Sequence, residues 1–149
     1  MKQEKHLEEG TESATTKTFL IRGRFYKNHC FPSLNDYLQE IGRNPKGASK
    51  FKRDFVFIAI NAIRRDLKGY KFTKPVILHY TFGEPLQVTQ TCKRRDRDNI
   101  VALAQKFILD ALRDSHTIVD DKPDYVRNFD FSFVYTDRVP YIIVEIEEV

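Results

Sequence analysis

The stretch from Ala48 to Leu67 is the feature that most narrows the fold. Phe51, Phe55, Ile58, Ala59, Ala62 and Ile63 recur at the three- and four-residue spacing of one helix face. Pro45 breaks the chain before it and Gly69 follows as a stop signal, so one long helix is predicted between them. Val56 and Ile60 widen the apolar stripe, which requires either deep burial or a second packing partner. Spacing residues at about 100° puts Lys50, Arg53, Asn61, Arg64, Arg65 and Lys68 on the opposite face, with Phe57 among them. That face is either simply solvated or a surface for a polyanion.

The remaining elements fall around this helix. Thr18 to Phe25 alternates as a first strand, and Ser33 is placed to cap a short helix carrying Leu34, Tyr37, Leu38 and Ile41. Val76 to Phe82 reads as a strand with a turn at Gly83-Glu84-Pro85. Leu86 to Cys92 is either another strand or an extended lead into a second long helix, residues 99–113. Thr117 to Val119 fits a short strand. Phe129 to Tyr135 and Tyr141 to Ile146 alternate strongly across a connection at Thr136 to Pro140, which predicts a C-terminal β-hairpin. The result is one α/β (α+β) domain over residues 18–149, a small mixed sheet with packed helices. Residues 1–17 are polar and aperiodic, as expected of a disordered tail.

A chain of 149 residues is long enough to bury a core. No apolar run approaches the roughly 20 residues that span a bilayer, and the N-terminus has no signal-peptide h-region. A cytoplasmic location, with no membrane partner, is the expectation. Cys30 and Cys92 have no metal-ligand spacing and read as reduced cysteines. Charge is segregated: residues 42–74 carry ten Lys/Arg against two Asp, and residues 110–149 carry ten Asp/Glu against four Lys/Arg. Nucleic-acid binding combined with metal binding would use such an asymmetry, and so would an ordinary solvated surface.

The chemistry concentrates in Lys93-Arg94-Arg95-Asp96-Arg97-Asp98-Asn99, where two carboxylates stand among four cations as loop becomes helix. Asp98 fits an N-cap position, a purely structural role. In an extended approach, Asp96 and Asp98 share a side and supply two oxygens to Mg²⁺, which keeps waters and accepts substrate phosphate. The helix N-terminus and Arg95 or Arg97 would offset their mutual repulsion. Ile100, Leu103, Ala104, Phe107, Ile108 and Ala111 form the buried stripe of this helix. Asn99, Ala102, Lys106, Asp110 and Arg113 then lie away from the core. Lys106 is about 12 Å along the axis from Asp98 and either reaches a phosphate or pairs with Asp110. Asp120-Asp121 follows the helix, in a turn that can return toward Asp96 and Asp98.

These motifs carry a resemblance. Arg95-Asp96-Arg97-Asp98-Asn99, Lys106-Phe107-Ile108-Leu109-Asp110-Ala111-Leu112 and Ile118-Val119-Asp120-Asp121 resemble the RusA-type Holliday junction resolvases, particularly phage-encoded forms. Phe31-Pro32-Ser33-Leu34-Asn35-Asp36-Tyr37 and Val144-Glu145-Ile146-Glu147 are similar to that family's first segment and last strand. The resemblance implies a homodimeric endonuclease on branched DNA, using Mg²⁺ or Mn²⁺, in a bacterial or phage-infected cell. It implies metal-binding aspartates at Asp96, Asp98 and Asp121 and a catalytic lysine at Lys106. In that last position the chain departs from compact relatives, which have the lysine one turn earlier, where Ala102 stands.

On this reading Lys93, Arg94, Arg95 and Arg97 hold DNA backbones together with Lys50, Arg53, Arg64, Arg65 and Lys68. The alternative is a non-catalytic branched-DNA-binding module with the same fold. A third reading, RNA binding through exposed aromatics, is weaker. Phe129, Phe131 and Phe133 fit one face of a strand, where such stripes are ordinarily core, and no RNP-like motif accompanies them.

Overall fold

The computed structural model describes residues 14–86 and 94–149. Four strands, β1 (Thr16–Arg22), β2 (Val76–Pro85), β3 (Val126–Thr136) and β4 (Tyr141–Glu148), form one sheet in the order β1-β4-β2-β3. Three helices, α1 (Leu34–Arg43), α2 (Ala48–Leu67) and α3 (Arg97–Asp114), accompany it. This is a small mixed α/β domain, as the sequence predicts.

Local chemistry accounts for the helix ends. Ser33 caps α1 through a reciprocal box: the Asp36 amide donates to Ser33 Oγ at 3.2 Å, and the Ser33 amide donates to Asp36 Oδ2 at 2.8 Å. α2 has the predicted bounds and ends on Lys68 in the left-handed region, followed by Gly69 with φ +82°. Phe55, Val56, Ala59, Ala62, Ile63 and Leu67 of α2 are buried, so the broad stripe is absorbed within the domain core.

Alternation along the strands sends Phe19, Ile21, Val76, Leu78, Tyr80, Phe82, Ile142, Val144 and Ile146 to one side, where they share a core with α2 and α3. Thr18, His79, Thr81, Asp130, Ser132 and Glu145 fall on the other side, exposed or half-buried. The helices therefore cover one face of the sheet.

Several sequence expectations are corrected. β3 and β4 are not a hairpin: β2 lies between them, parallel to β3 and antiparallel to β4. The connection crosses two strand spacings, about 10 Å, within reach of its few residues. β4 takes the interior because its inward Ile142, Val144 and Ile146 are all buried and its outward Ile143 is half-buried. β3 carries Asn128, Asp130 and Ser132 outward and takes the edge. The tight turn expected at Gly83-Glu84-Pro85 is instead the end of β2. Gly83 pairs with Tyr141, whose ring occupies the space where a Cβ would project.

β1 begins at Thr16, inside the segment expected to be tail, and ends at Arg22. Thr117 to Val119 forms no strand. Thr117 instead accepts a bond from the Phe72 amide at 2.8 Å and donates its own amide to Leu112 at 2.9 Å. Residues 1–13 of the expected tail, and most of the expected segment Leu86 to Cys92, lie outside the described residues.

Candidate nucleic-acid and metal site

α3 starts two residues earlier than the predicted residue 99. Its N-cap is Asp96, with extended backbone (ψ 135°) and no side-chain cap bond, while Asp98 lies in the first helical turn. The two carboxylates therefore do not alternate along an extended strand. Both are exposed, at the end of the helix where free amides favour negative charge.

Arg94 and Arg97 flank them from above the sheet edge. The Arg94 guanidinium sits 4.9 Å from the Tyr135 ring centroid, and that of Arg97 lies 5.0 Å from Phe133 and 5.9 Å from Tyr135. Cation–π contact holds both exposed cations at the C-terminal end of β3, beside the carboxylates. Asp96 also lines a hollow with Ser33, Asn35, Asp36, Arg94, Arg95 and Asn99. Lys93 lies outside the described residues.

Arg95, expected to hold DNA, is turned inward. It contacts Glu84 through Nη2 at 3.0 and 3.1 Å and donates to the Phe31 carbonyl at 2.6 Å. Its side chain is only 11% exposed. Glu84 also faces His29 Nδ1 at 3.6 Å. Burial by itself would raise the Glu84 pKa, but His29 and Arg95 outweigh it and hold the carboxyl below its ordinary value. The pair ties the loop before α3 to the end of β2 and so places Asp96. Nothing in the sequence distinguished Arg95 from its neighbours; Glu84, read as a turn residue, was the missed partner.

The other sequence-predicted residues gather at the far end of α3. Lys106 and Asp121 line a second hollow with Ala102, Gln105, Leu109 and Asp110. Asp121 is 3.4 Å from Arg113, which also reaches Asp110 at 3.3 Å. Asp110 is 6% exposed, not turned to solvent as its helical position predicted, because Lys52 from α2 meets it at 2.9 Å. Asp98 and Asp110 are about 18 Å apart along the helix axis, at 1.5 Å per residue. Asp96 and Asp98 thus belong to one end of α3, and Asp121 and Lys106 to its middle and other end.

This separation bears on metal binding. Two carboxylates suit part of the shell of Mg²⁺, which retains waters. Among the described residues, no group of three or more His, Cys, Asp or Glu side chains comes together to hold an ion. Asp96, Asp98 and Asp121 do not form such a group among the described residues.

On α2, Lys50, Arg53, Arg64, Arg65 and Lys68 are all exposed, as predicted. Lys50 pairs with Asp54 at 2.8 Å, and Arg65 with Asp66 at 2.8 Å, which lowers the Asp66 pKa. Among the described residues, Arg53, Arg64 and Lys68 have no ion pair. Cys30 is a free, buried thiol whose pKa burial pushes up to about 12. No helix of the described chain is long and apolar enough to cross a membrane. No protein-family model and no curated protein matches the chain.

Proposed function

We infer that the protein is a metal-dependent, structure-selective endonuclease acting on branched DNA, in the manner of the RusA-type resolvases it resembles. The observation that carries this reading is the exposed Asp96–Asp98 pair at the amide-rich start of α3, flanked by Arg94 and Arg97. Adhesion to DNA alone gains nothing from carboxylates among cations, since they repel phosphate. A divalent ion, Mg²⁺ or Mn²⁺, would supply the Lewis acidity for phosphodiester hydrolysis, with Asp96 and Asp98 among its ligands. Arg94 and Arg97 bind the flanking phosphates, and Arg53, Arg64 and Lys68 on α2 offer a further cationic surface. Arg95 contributes by fixing the loop. Four-way junctions and a homodimer are the partners this reading requires.

Purified protein should nick four-way junctions when Mg²⁺ is added. Asp98→Asn should stop cutting and leave junction binding intact; normal cleavage by that variant would remove the carboxylate pair from the reaction. The pairing of Asp121 with Arg113, which occupies a carboxylate otherwise open to metal, favours a second reading, a non-catalytic branched-DNA-binding module. Titration calorimetry separates the two: junction binding without Mg²⁺ binding would favour the module.

A further inference from the structure

The face of the sheet that no helix covers carries a hollow at one end. Arg22 ends β1, Tyr141 opens β4 directly opposite it, and Thr136 ends β3. Alternation sends all three side chains to the uncovered side. With Arg138 and Val139 from the β3–β4 connection they line a cavity of about 350 Å³. Small-ligand sites begin at roughly 300 Å³, so one nucleotide-sized group fits. The Tyr141 ring lies against Gly83 of β2, in space that any side chain at that position would fill. The connection is fixed as well: the Arg138 amide donates to Thr136 Oγ1 at 3.0 Å, and the Gly23 amide donates to the Pro140 carbonyl at 3.0 Å.

Aromatic cover of a strand glycine is a structural device in its own right. It does not account for the two arginines. Arg22 and Arg138 are exposed, and among the described residues neither side chain has an ion pair or a hydrogen-bond partner. Carboxylates gather at the other end of the same face, where His79 stands between Asp130 and Glu147. Glu145 is four positions along β4 from Tyr141, about 13 Å at roughly 3.3 Å per residue. A polyanion is therefore drawn to the arginine end and repelled from the rest of the face.

We propose that Tyr141, Arg22 and Arg138 bind an unpaired nucleotide of a DNA strand, its base stacked on the Tyr141 ring and its flanking phosphates held by the two guanidinium groups. An aromatic platform beside cations takes any base, since every base has a π-face. Thr136 directly follows Tyr135, which holds Arg94 on the helix side of the same strand end. A strand gripped by Arg94 and Arg97 has only to cross the end of β3 to reach Tyr141. The preferred substrate is then branched DNA with an unpaired stretch beside the branch point, rather than fully paired arms. That preference rests on reading Asp96–Asp98 as the reacting end, while the nucleotide site itself is tested by binding alone.

Fluorescence anisotropy should compare a short oligothymidine with a duplex of equal length. Tyr141→Leu, which still covers Gly83, should weaken the single strand about tenfold, equivalent to about 1.4 kcal/mol and inside the range for one stacked base. Duplex binding should hold, and Tyr141→Phe should bind the single strand like the parent. Arg22→Gln combined with Arg138→Gln should lower the single-strand slope of log K against log salt by about 1.4, two phosphate contacts at about 0.7 each. An oligonucleotide carrying iododeoxyuridine should photo-cross-link to the peptide containing Tyr141. Equal loss of duplex and single-strand binding in Tyr141→Leu, an unchanged slope in the arginine variant, or cross-links confined to other peptides would each overturn the site. Should Tyr141→Leu fail to fold by circular dichroism, the arginine variant and the cross-link decide. Capture of the strand at Tyr141 without junction nicking would overturn the proposed function and leave this site standing. Junction nicking with no cross-link at Tyr141 would do the reverse.

Discussion

Arg95 holds both carboxylate oxygens of Glu84, at 3.1 and 3.0 Å, where both side chains are almost fully enclosed. The contact joins the residue before the α3 N-cap to the last turn of β2, eleven positions apart in sequence. The same guanidinium also donates to the Phe31 carbonyl ahead of α1. Three segments that converge on the Asp96 hollow are therefore fixed by one side chain.

Removing that side chain should be severe. Arg95→Ala leaves the buried Glu84 with only His29 facing it, and breaking such a buried pair costs about 3–5 kcal/mol. Arg95→Lys should recover only part of this, because an ammonium cannot reproduce the planar two-point contact. Urea unfolding of both variants measures it; a loss below about 1 kcal/mol, the range of exposed pairs, would mean water reaches Glu84.

The α1 cap offers a milder test. Ser33→Ala removes the acceptor for the Asp36 amide and one half of the reciprocal box, and should cost about 1 kcal/mol. Thermal denaturation should show a correspondingly small fall in Tm, with the helical signal retained.

His79 gives the fold a pH dependence. Its Nε2 contacts Glu147 at 2.8 Å and its Nδ1 contacts Asp130 at 2.5 Å, on the uncovered face of the sheet. The Glu147 contact, reinforced by Asp130, raises its pKa above the ordinary 6.5. A raised histidine pKa stabilises the folded state fully below the unfolded value, and that contribution disappears as pH rises through the folded value. Stability should therefore decline from about pH 6.5 upward by about 0.5 kcal/mol, the scale of partly exposed pairs. His79→Gln should flatten this segment of the unfolding free energy against pH; an unchanged profile would mean the carboxylates do not hold the proton.

Salt dependence separates the arginines. Arg94→Ala and Arg97→Ala should each weaken junction binding across sequences and reduce the slope of log K against log salt by about one phosphate contact. Arg95→Ala should leave that slope unchanged wherever the protein remains folded. Fluorescence anisotropy at several salt concentrations reads both outcomes, and equal slope changes for Arg94 and Arg95 would contradict the inward placement of Arg95.

Local periodicity and local chemistry were legible in the sequence for α1 and α2. The α2 stripe predicted both ends of that helix, and Ser33 identified the start of α1, because helix spacing and capping are written within a few residues. The exposed cations of α2 followed from the same wheel. Asp110 shows the limit of such reasoning: helical position alone turns it outward, but α2 lies against that side and presents Lys52 to it.

What the tertiary structure decided was pairing across distance. Alternation in Phe129 to Tyr135 and Tyr141 to Ile146 marked two strands, but not that β2 would insert between them, since strand order depends on which strand has two faces to bury. The same insertion left β3 at the edge with its aromatic row half-covered. The basic run Lys93 to Arg97 did not reveal which cation turns inward, because that choice belongs to Glu84 at the end of another strand. Sequence placed acidic residues before and after α3; only the packing of the turn after the helix showed Asp121 set against Arg113 and beside Lys106.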